Sequence, residues 1–308
     1  MTEDPDRTSV ERFRAAVAQR LGLSFDDSKT EFLSDVLRRR TAASALHADA
    51  YLLAMESQRA QSEISVLAQE LTVGETYFFR NRDQYRALAE AAIPERIALR
   101  PRDRTLRILS AGCASGEEAY TLAMVARDTL DRSWELSVVG IDVNPAAIAR
   151  ATRATYGAWA LRETAPLEQQ RWFRATGREF LLEDSVGSSV RFEVRNLVED
   201  DPQFWKRESL DIVFFRNVLM YFTPDQARAA ITRITGALNP GGYLFLGHAE
   251  TLRGLSADFS LEHTHGTFYY RRKNELCESV PSVVRADSAS GGESPAPGVP
   301  SNESTWFD

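Results

Sequence analysis

At 308 residues with a net charge of −7, the chain has material for one large or two modest domains, and its acidic balance argues against a nucleic-acid binder. Its two cysteines, Cys113 and Cys277, lie far apart without metal-ligand spacing, so they read as free thiols of a reducing compartment. No apolar run approaches the roughly 18 to 20 residues of a membrane span, and residues 1–7 are too polar for a signal peptide; the expectation is a soluble, cytoplasmic protein with no membrane insertion.

Apolar residues at helical spacing first appear over residues 10–21 (Val10, Phe13, Val17, Leu21), which predicts an amphipathic helix. Residues 27–40 repeat the pattern with Phe32, Leu33, Val36 and Leu37 and finish in Arg38, Arg39 and Arg40. A basic last turn compensates the helix dipole on a solvated face, and it also offers a docking face to an acidic partner. Helical runs at 47–55 and 63–71 complete a small helical unit.

Residues 71–88 read LTVGETYFFRNRDQYRAL. Thr72, Gly74 and Thr76 are poor helix formers, and the cluster Tyr77, Phe78, Phe79 followed by Arg80 and Arg82 is too apolar for an ordinary linker. Two readings stand: a packed strap with buried aromatics and solvated arginines, or a strap that lies across a ligand pocket and donates hydroxyl and guanidinium groups to it.

The centre of the chain is residues 106–126, LRILSAGCASGEEAYTLAMVA. An apolar strand passes through a turn of small residues into a helix at Glu117, which presents backbone amides to a nucleotide-like ligand. The turn lacks the G-x-G-x-x-G of a dinucleotide site and continues into Glu117 and Glu118, which repel phosphates. The two acids suit a ligand with ammonium and sulfonium charge, such as S-adenosylmethionine (AdoMet), or they merely complement the helix dipole.

Residues 136–142 (LSVVGID) form a second buried strand that ends on Asp142, in position for a ribose diol. Asp142 or Asn144 could equally cap the helix starting near Pro145. Residues 180–182 and 190–194 are short β-like runs joined by turn chemistry, which predicts a hairpin appendage before Asn196 and Leu197. The run 210–215 (LDIVFF) is a buried strand delivering Arg216, Asn217 and Tyr221 to the crevice side of a parallel sheet. A helix over 224–238, an NPGG turn at 239–242, a strand over 243–247 leading to His248 and Glu250, and an antiparallel edge strand at 267–270 follow. From residue 273 the chain turns to Ser, Gly, Pro and Glu, the composition of a disordered tail, with only Trp306 and Phe307 standing out.

Five of these stretches, in order, resemble the chemotaxis receptor methyltransferases of the CheR family. LTVGETYFFR is similar to L-T-x-N-x-T-x-F-F-R, and SAGCASGEEAYTLAM to A-x-C-S-T-G-E-E-P-Y-S-I-A-M. GIDVN resembles D-I-D, FFRNVLMYF is similar to F-C-R-N-V-x-I-Y-F, and LNPGGYLFLGHAE to L-x-P-G-G-x-L-x-x-G-H-S-E. The departures are Gly74 for the motif's asparagine, Gly140 for the first aspartate of D-I-D, and Ala249 for serine.

The resemblance implies an α/β fold: a Rossmann-like class I AdoMet methyltransferase domain (96–272, with a hairpin near 173–195) behind a small N-terminal all-α domain (1–71), a strap (72–95) and a tail (273–308). It implies AdoMet as cofactor, held by Thr76, Arg80, Glu117, Asp142, Asn196, Leu197, Arg216 and Asn217. Tyr221 would stand beside the transferring methyl as a catalytic residue, and Arg96 would handle substrate. The implied partner is the cytoplasmic domain of methyl-accepting chemotaxis receptors, whose glutamates become methyl esters, with the enzyme a monomer and the Arg38, Arg39, Arg40 face meeting the receptor. Residues 173–192 are short for a segment that grips a tethering peptide. Because a glutamate acceptor is already ionised at neutral pH, His248 is not needed as a base and Tyr221 is expected to orient more than to ionise.

Overall fold

Four helices open the computed structural model, which describes residues 5–57, 60–99 and 103–274: α1 (Arg7–Leu21), α2 (Thr30–Ser44), α3 (Ala48–Glu56) and α4 (Gln61–Leu71). Asp6 caps α1 by accepting the Ser9 N–H at 2.8 Å, and Gly22 ends it in the left-handed region at φ 75°. The apolar stripes of the helices meet in one cluster that buries Phe13, Val17, Leu33, Val36, Leu37 and Leu67. Phe32 departs from its expected place in that stripe and stands 38% exposed.

Helix α2 runs on to Ser44, so Arg38, Arg39 and Arg40 are not its last turn. Each is committed to a carboxylate instead: Arg38 to Asp35, Arg39 to Glu70 at 2.9 Å and Arg40 to Glu63 at 2.7 Å, where Tyr51 also donates at 2.7 Å. Arg39 and Arg40 therefore tie α2 to α4, while Arg38 pairs within α2.

After the strap, α5 (Arg82–Ala87) passes through a π-helical turn (Leu88–Ala92) into α6 (Ile93–Leu99). Next come β1 (Thr105–Ala111), α7 (Glu117–Thr129), β2 (Glu135–Asp142) and α8 (Pro145–Arg153). An appendage follows, built from β3 (Thr155–Gly157), α9 (Pro166–Trp172), β4 (Phe173–Thr176), β5 (Glu179–Leu182) and the short α10 (Asp184–Gly187). The chain returns to the main sheet with β6 (Val190–Val194), β7 (Leu210–Phe215), α11 (Pro224–Ala237), β8 (Leu238–Leu246), β9 (Phe259–Thr264) and β10 (Thr267–Arg272).

The main sheet has seven strands in the order β6-β2-β1-β7-β8-β10-β9. Its first five are parallel, while β10 runs antiparallel to both neighbours. This is the Rossmann-like α/β architecture, with the strand order reversing between β1 and β7, so a crevice opens beyond the carboxyl ends of those two strands.

Three local expectations are corrected. The run 190–194 joins the main sheet beside β2, and the appendage is a separate antiparallel sheet in the order β3-β5-β4. Strand β10 is interior, because β9 takes the edge. Asn239 to Gly242 do not form a free turn but open β8, with a register shift opposite Leu210 and Ile212. A Cβ on Gly242 would meet the backbone oxygens of Asn239 at 2.8 Å and Asp211 at 2.9 Å, so the glycine permits a strand here.

No helix among the described residues is long and apolar enough to cross a membrane. Cys277, Trp306, Phe307 and nearly all of the expected tail lie outside the described residues.

Candidate active site

The turn between β1 and α7 is fastened to β2. The N–H groups of Gly112 and Cys113 both donate to the Ile141 carbonyl, at 2.8 and 2.9 Å. Gly116 sits at φ 94°, and a Cβ there would meet that of Ala151 at 2.7 Å, so α8 packs directly on the start of α7. Cys113 is fully buried, and burial pushes its thiol well up.

Asp142 and Asn144 divide the two tasks open to either. Asn144 caps α8, accepting from Ala146 and Ala147 at 3.0 and 3.1 Å. Asp142 accepts from the Ala114 and Asn144 N–H groups, each at 2.9 Å, and lines a cavity of ≈ 610 Å³. A carboxylate offers about four lone-pair positions, so these two bonds leave it acceptor capacity. Burial raises its pKa and outweighs those two bonds, which lower it.

One helical step separates the two glutamates that follow. Glu117 is buried, accepts the Ser115 hydroxyl at 2.8 Å and is not on the cavity wall. Glu118 is on that wall, accepting the Ser110 hydroxyl at 2.7 Å and facing Arg216 at 3.3 Å. Burial raises both carboxyl groups, with Arg216 pulling Glu118 back down. The structure thus places Glu118, rather than the expected Glu117, on the cavity wall, and only the rotation of α7 separates the two.

The end of β7 supplies the opposite wall. The Arg216 guanidinium is held three ways, donating to the Tyr85 hydroxyl at 3.1 Å and the Arg80 carbonyl at 2.7 Å besides its pairing with Glu118. Asn217 and Tyr221 also line the cavity, Tyr221 at the rim with 37% exposure. Residues after α1 form the roof: Ser24 N–H donates to the Tyr221 carbonyl at 2.6 Å, and Leu23 bridges Phe222. Lys29 and the outward-turned Phe32 line this side.

The strap is packed on the core and also lines the cavity. Phe78 is fully buried, edge-on to Tyr156 and Phe173 at 4.8 Å each, while Thr76 and Arg80 line the cavity. Tyr77 is pinned by the Arg162 guanidinium 3.6 Å from its ring centroid, and Thr72 accepts from the Asn144 side chain at 3.1 Å. Asn196 and Leu197 line the cavity too, with the Asn196 amide donating to the Arg20 carbonyl at 2.7 Å.

Arg96 is elsewhere. It is 3% exposed and donates to Asp211 and to the Pro240 carbonyl, both at 2.9 Å, near the amino end of β7. A buried guanidinium paired at the far end of the strand cannot reach a substrate in a crevice at its carboxyl end, so the expected catalytic role is withdrawn. His248 is exposed and off the cavity wall. Glu118 and Tyr85 line the cavity without having been among the expected site residues, and the second glutamate of GEE was the available signal.

The CheR family, described as "CheR methyltransferase, SAM binding domain" (SAM being AdoMet), matches residues 74–268. Chemotaxis protein methyltransferase 2 of Vibrio cholerae is 29% identical over 84% of this chain and 91% of its own length. The chemotaxis protein methyltransferase of Vibrio anguillarum is 30% identical, over 85% of this chain and 95% of its length. A probable biofilm formation methyltransferase, WspC of Pseudomonas putida, is 34% identical over 78% of this chain but only 56% of its own length.

Proposed function

The chain belongs to the CheR family of AdoMet-dependent methyltransferases, and from that premise we propose that it methylates glutamate side chains in the cytoplasmic domain of methyl-accepting chemotaxis receptors. The observation that carries the reading is one cavity whose walls bring together Asp142, Glu118 and Arg216 beneath a rim bearing Tyr221.

The donor set fits the cofactor. A buried carboxylate with spare acceptor capacity, Asp142, suits a ribose diol. Glu118 suits an ammonium group, and the threefold-anchored Arg216 suits a carboxylate. Leu197 offers an apolar wall for adenine beside Asn196, while Thr76, Arg80 and Asn217 complete the enclosure. A cavity of ≈ 610 Å³ is in the range of small-molecule sites. AdoMet, when bound, supplies an electrophilic methyl group on a sulfonium centre.

The work left to the protein is positioning. The acceptor carboxylate is ionised at neutral pH and needs no base, so the residues must hold it in line at near-attack distance. Attraction between carboxylate and sulfonium is stronger before transfer than during it, when both charges fade, so charge pairing alone does not lower the barrier. Tyr221, at the rim, orients the acceptor through its hydroxyl.

The test is transfer of labelled methyl from AdoMet to membranes bearing chemoreceptors, scored as methanol released by mild alkali. Base-labile label on a receptor, abolished by Asp142→Ala, is the expected result. AdoMet binding without receptor label would transfer the reading to another acceptor.

A further inference from the structure

Tyr221 reaches the cavity on the loop that leaves β7; the Val218 carbonyl and the Ser24 N–H hold Tyr221 itself, and the residues before it are held from another loop. Asn217 sits at φ 58°, in the left-handed region that asparagine adopts more readily than most non-glycine residues. What holds it is a carboxylate from the loop after β8. One oxygen of Glu250 accepts the Asn217 N–H at 2.8 Å and the Gly247 N–H at 2.7 Å, while the other accepts the Met220 N–H at 3.3 Å. The two loops touch with no room between them: a Cβ on Gly247 would meet the Asn217 amide nitrogen of the side chain at 2.8 Å and Glu250 Oε2 at 2.8 Å.

We infer that Glu250 is a positioning residue for methyl transfer, clamping the loop at Asn217 and Met220 so that Tyr221 faces the cavity. The inference rests on the reading of Tyr221 given above. The clamp is selective in what it holds. Arg216, one residue upstream, is anchored independently by Tyr85, the Arg80 carbonyl and Glu118. Asp142 belongs to the opposite wall and is held by its own bonds to Ala114 and Asn144. Releasing Glu250 therefore loosens the loop at Asn217 and Met220, on which Tyr221 is carried, while the cofactor's main charged partners stay in place. Charge strengthens the clamp, since hydrogen bonds from N–H groups to a carboxylate are stronger than those to a neutral acceptor.

The experiment compares Glu250→Ala and Glu250→Gln in the full chain, reading kcat, AdoMet Kd and thermal midpoint, alone and combined with Tyr221→Phe. Glu250→Ala is expected to lower kcat by about tenfold to a hundredfold, the scale of loss that follows misplacement of a reacting partner, with AdoMet Kd held within about threefold. Glu250→Gln, which retains one oxygen for the Asn217 and Gly247 N–H groups, should recover part of that loss. In the Glu250→Ala background, Tyr221→Phe should cost little more, because the two residues act through one position.

Three results would overturn the inference. An unchanged kcat in Glu250→Ala, with Tyr221→Phe impaired, would remove the clamp and leave the Tyr221 reading standing. An unchanged kcat in Tyr221→Phe alone would remove the role that the clamp serves. Equal losses of kcat and AdoMet affinity in both Glu250 variants, with a lowered thermal midpoint, would reduce the residue to a structural part.

Discussion

Two buried guanidinium–carboxylate clusters occupy opposite ends of the same parallel strands. At the amino end, Asp211 accepts from Arg96 at 2.9 Å, the Asn239 side chain at 3.0 Å and the Arg107 backbone at 3.0 Å. At the carboxyl end, Arg216 faces Glu118 at 3.3 Å, but Glu118 and Asp142 also face a cavity. The residue types are alike and the environments are not. Asp211 is surrounded by protein donors, whereas Glu118 and Asp142 are raised in pKa because burial strips their water without full compensation. A closed cluster stabilises the fold; carboxyl groups left facing a void are suited to a cationic ligand.

The comparison is broken most forcefully at the closed end. Arg96→Ala removes a buried cation from Asp211, and removing one partner of such a pair costs about 3–5 kcal/mol. Denaturant unfolding should register that loss, while calorimetric titration of the folded protein shows AdoMet affinity unchanged. A weakened affinity would place Arg96 back in the site.

At the open end the pattern reverses. Asp142→Ala should weaken AdoMet binding about a hundredfold, or about 2.7 kcal/mol, with a much smaller change in unfolding free energy. Tyr221→Phe should lower kcat about tenfold, or about 1.4 kcal/mol, and leave AdoMet Kd where it was. Equal losses in kcat and affinity would reassign Tyr221 from orienting the acceptor to holding the cofactor.

Acidification sharpens the contrast because it acts with opposite signs on folding and on binding. Burial lifts Glu118 and Asp142 above the ordinary carboxyl range in the native state. The free protein then binds protons more readily than the unfolded chain, so the cost of these groups is present above their raised pKa values and is relieved as pH falls through them. In the proposed roles both carboxylates act ionised, so cofactor binding should weaken as pH falls from neutral. A flat binding profile that persists in Glu118→Gln would remove these carboxylates from cofactor binding. The smallest expected effect is at the surface: Arg38→Gln, which breaks an exposed pairing with Asp35, should change unfolding free energy by less than about 1 kcal/mol.

Much of this protein was legible in its residues because the signals are local. The 3.6-residue repeats of the first helices, the small-residue turn between β1 and α7, and the carboxyl-end positions of Asp142, Arg216, Asn217 and Tyr221 all follow from neighbours within a few positions. Five short stretches in order were enough to indicate the family. What periodicity could not supply was the partner of each charge. Arg96 meets Asp211 across 115 positions, and Arg39 meets Glu70 across 31, so the arginine expected to handle substrate is buried in a closed cluster and Arg39 of the basic run is paired with α4. The choice between Glu117 and Glu118 depended on how α7 is rotated against the sheet, and the hold of Glu250 on Asn217 on how closely two loops approach. Local chemistry decides which elements form and which residues reach the strand ends. Which charges face the cavity and which are neutralised is decided by packing, because a buried charge takes its role from whatever the fold brings within about 3 Å of it.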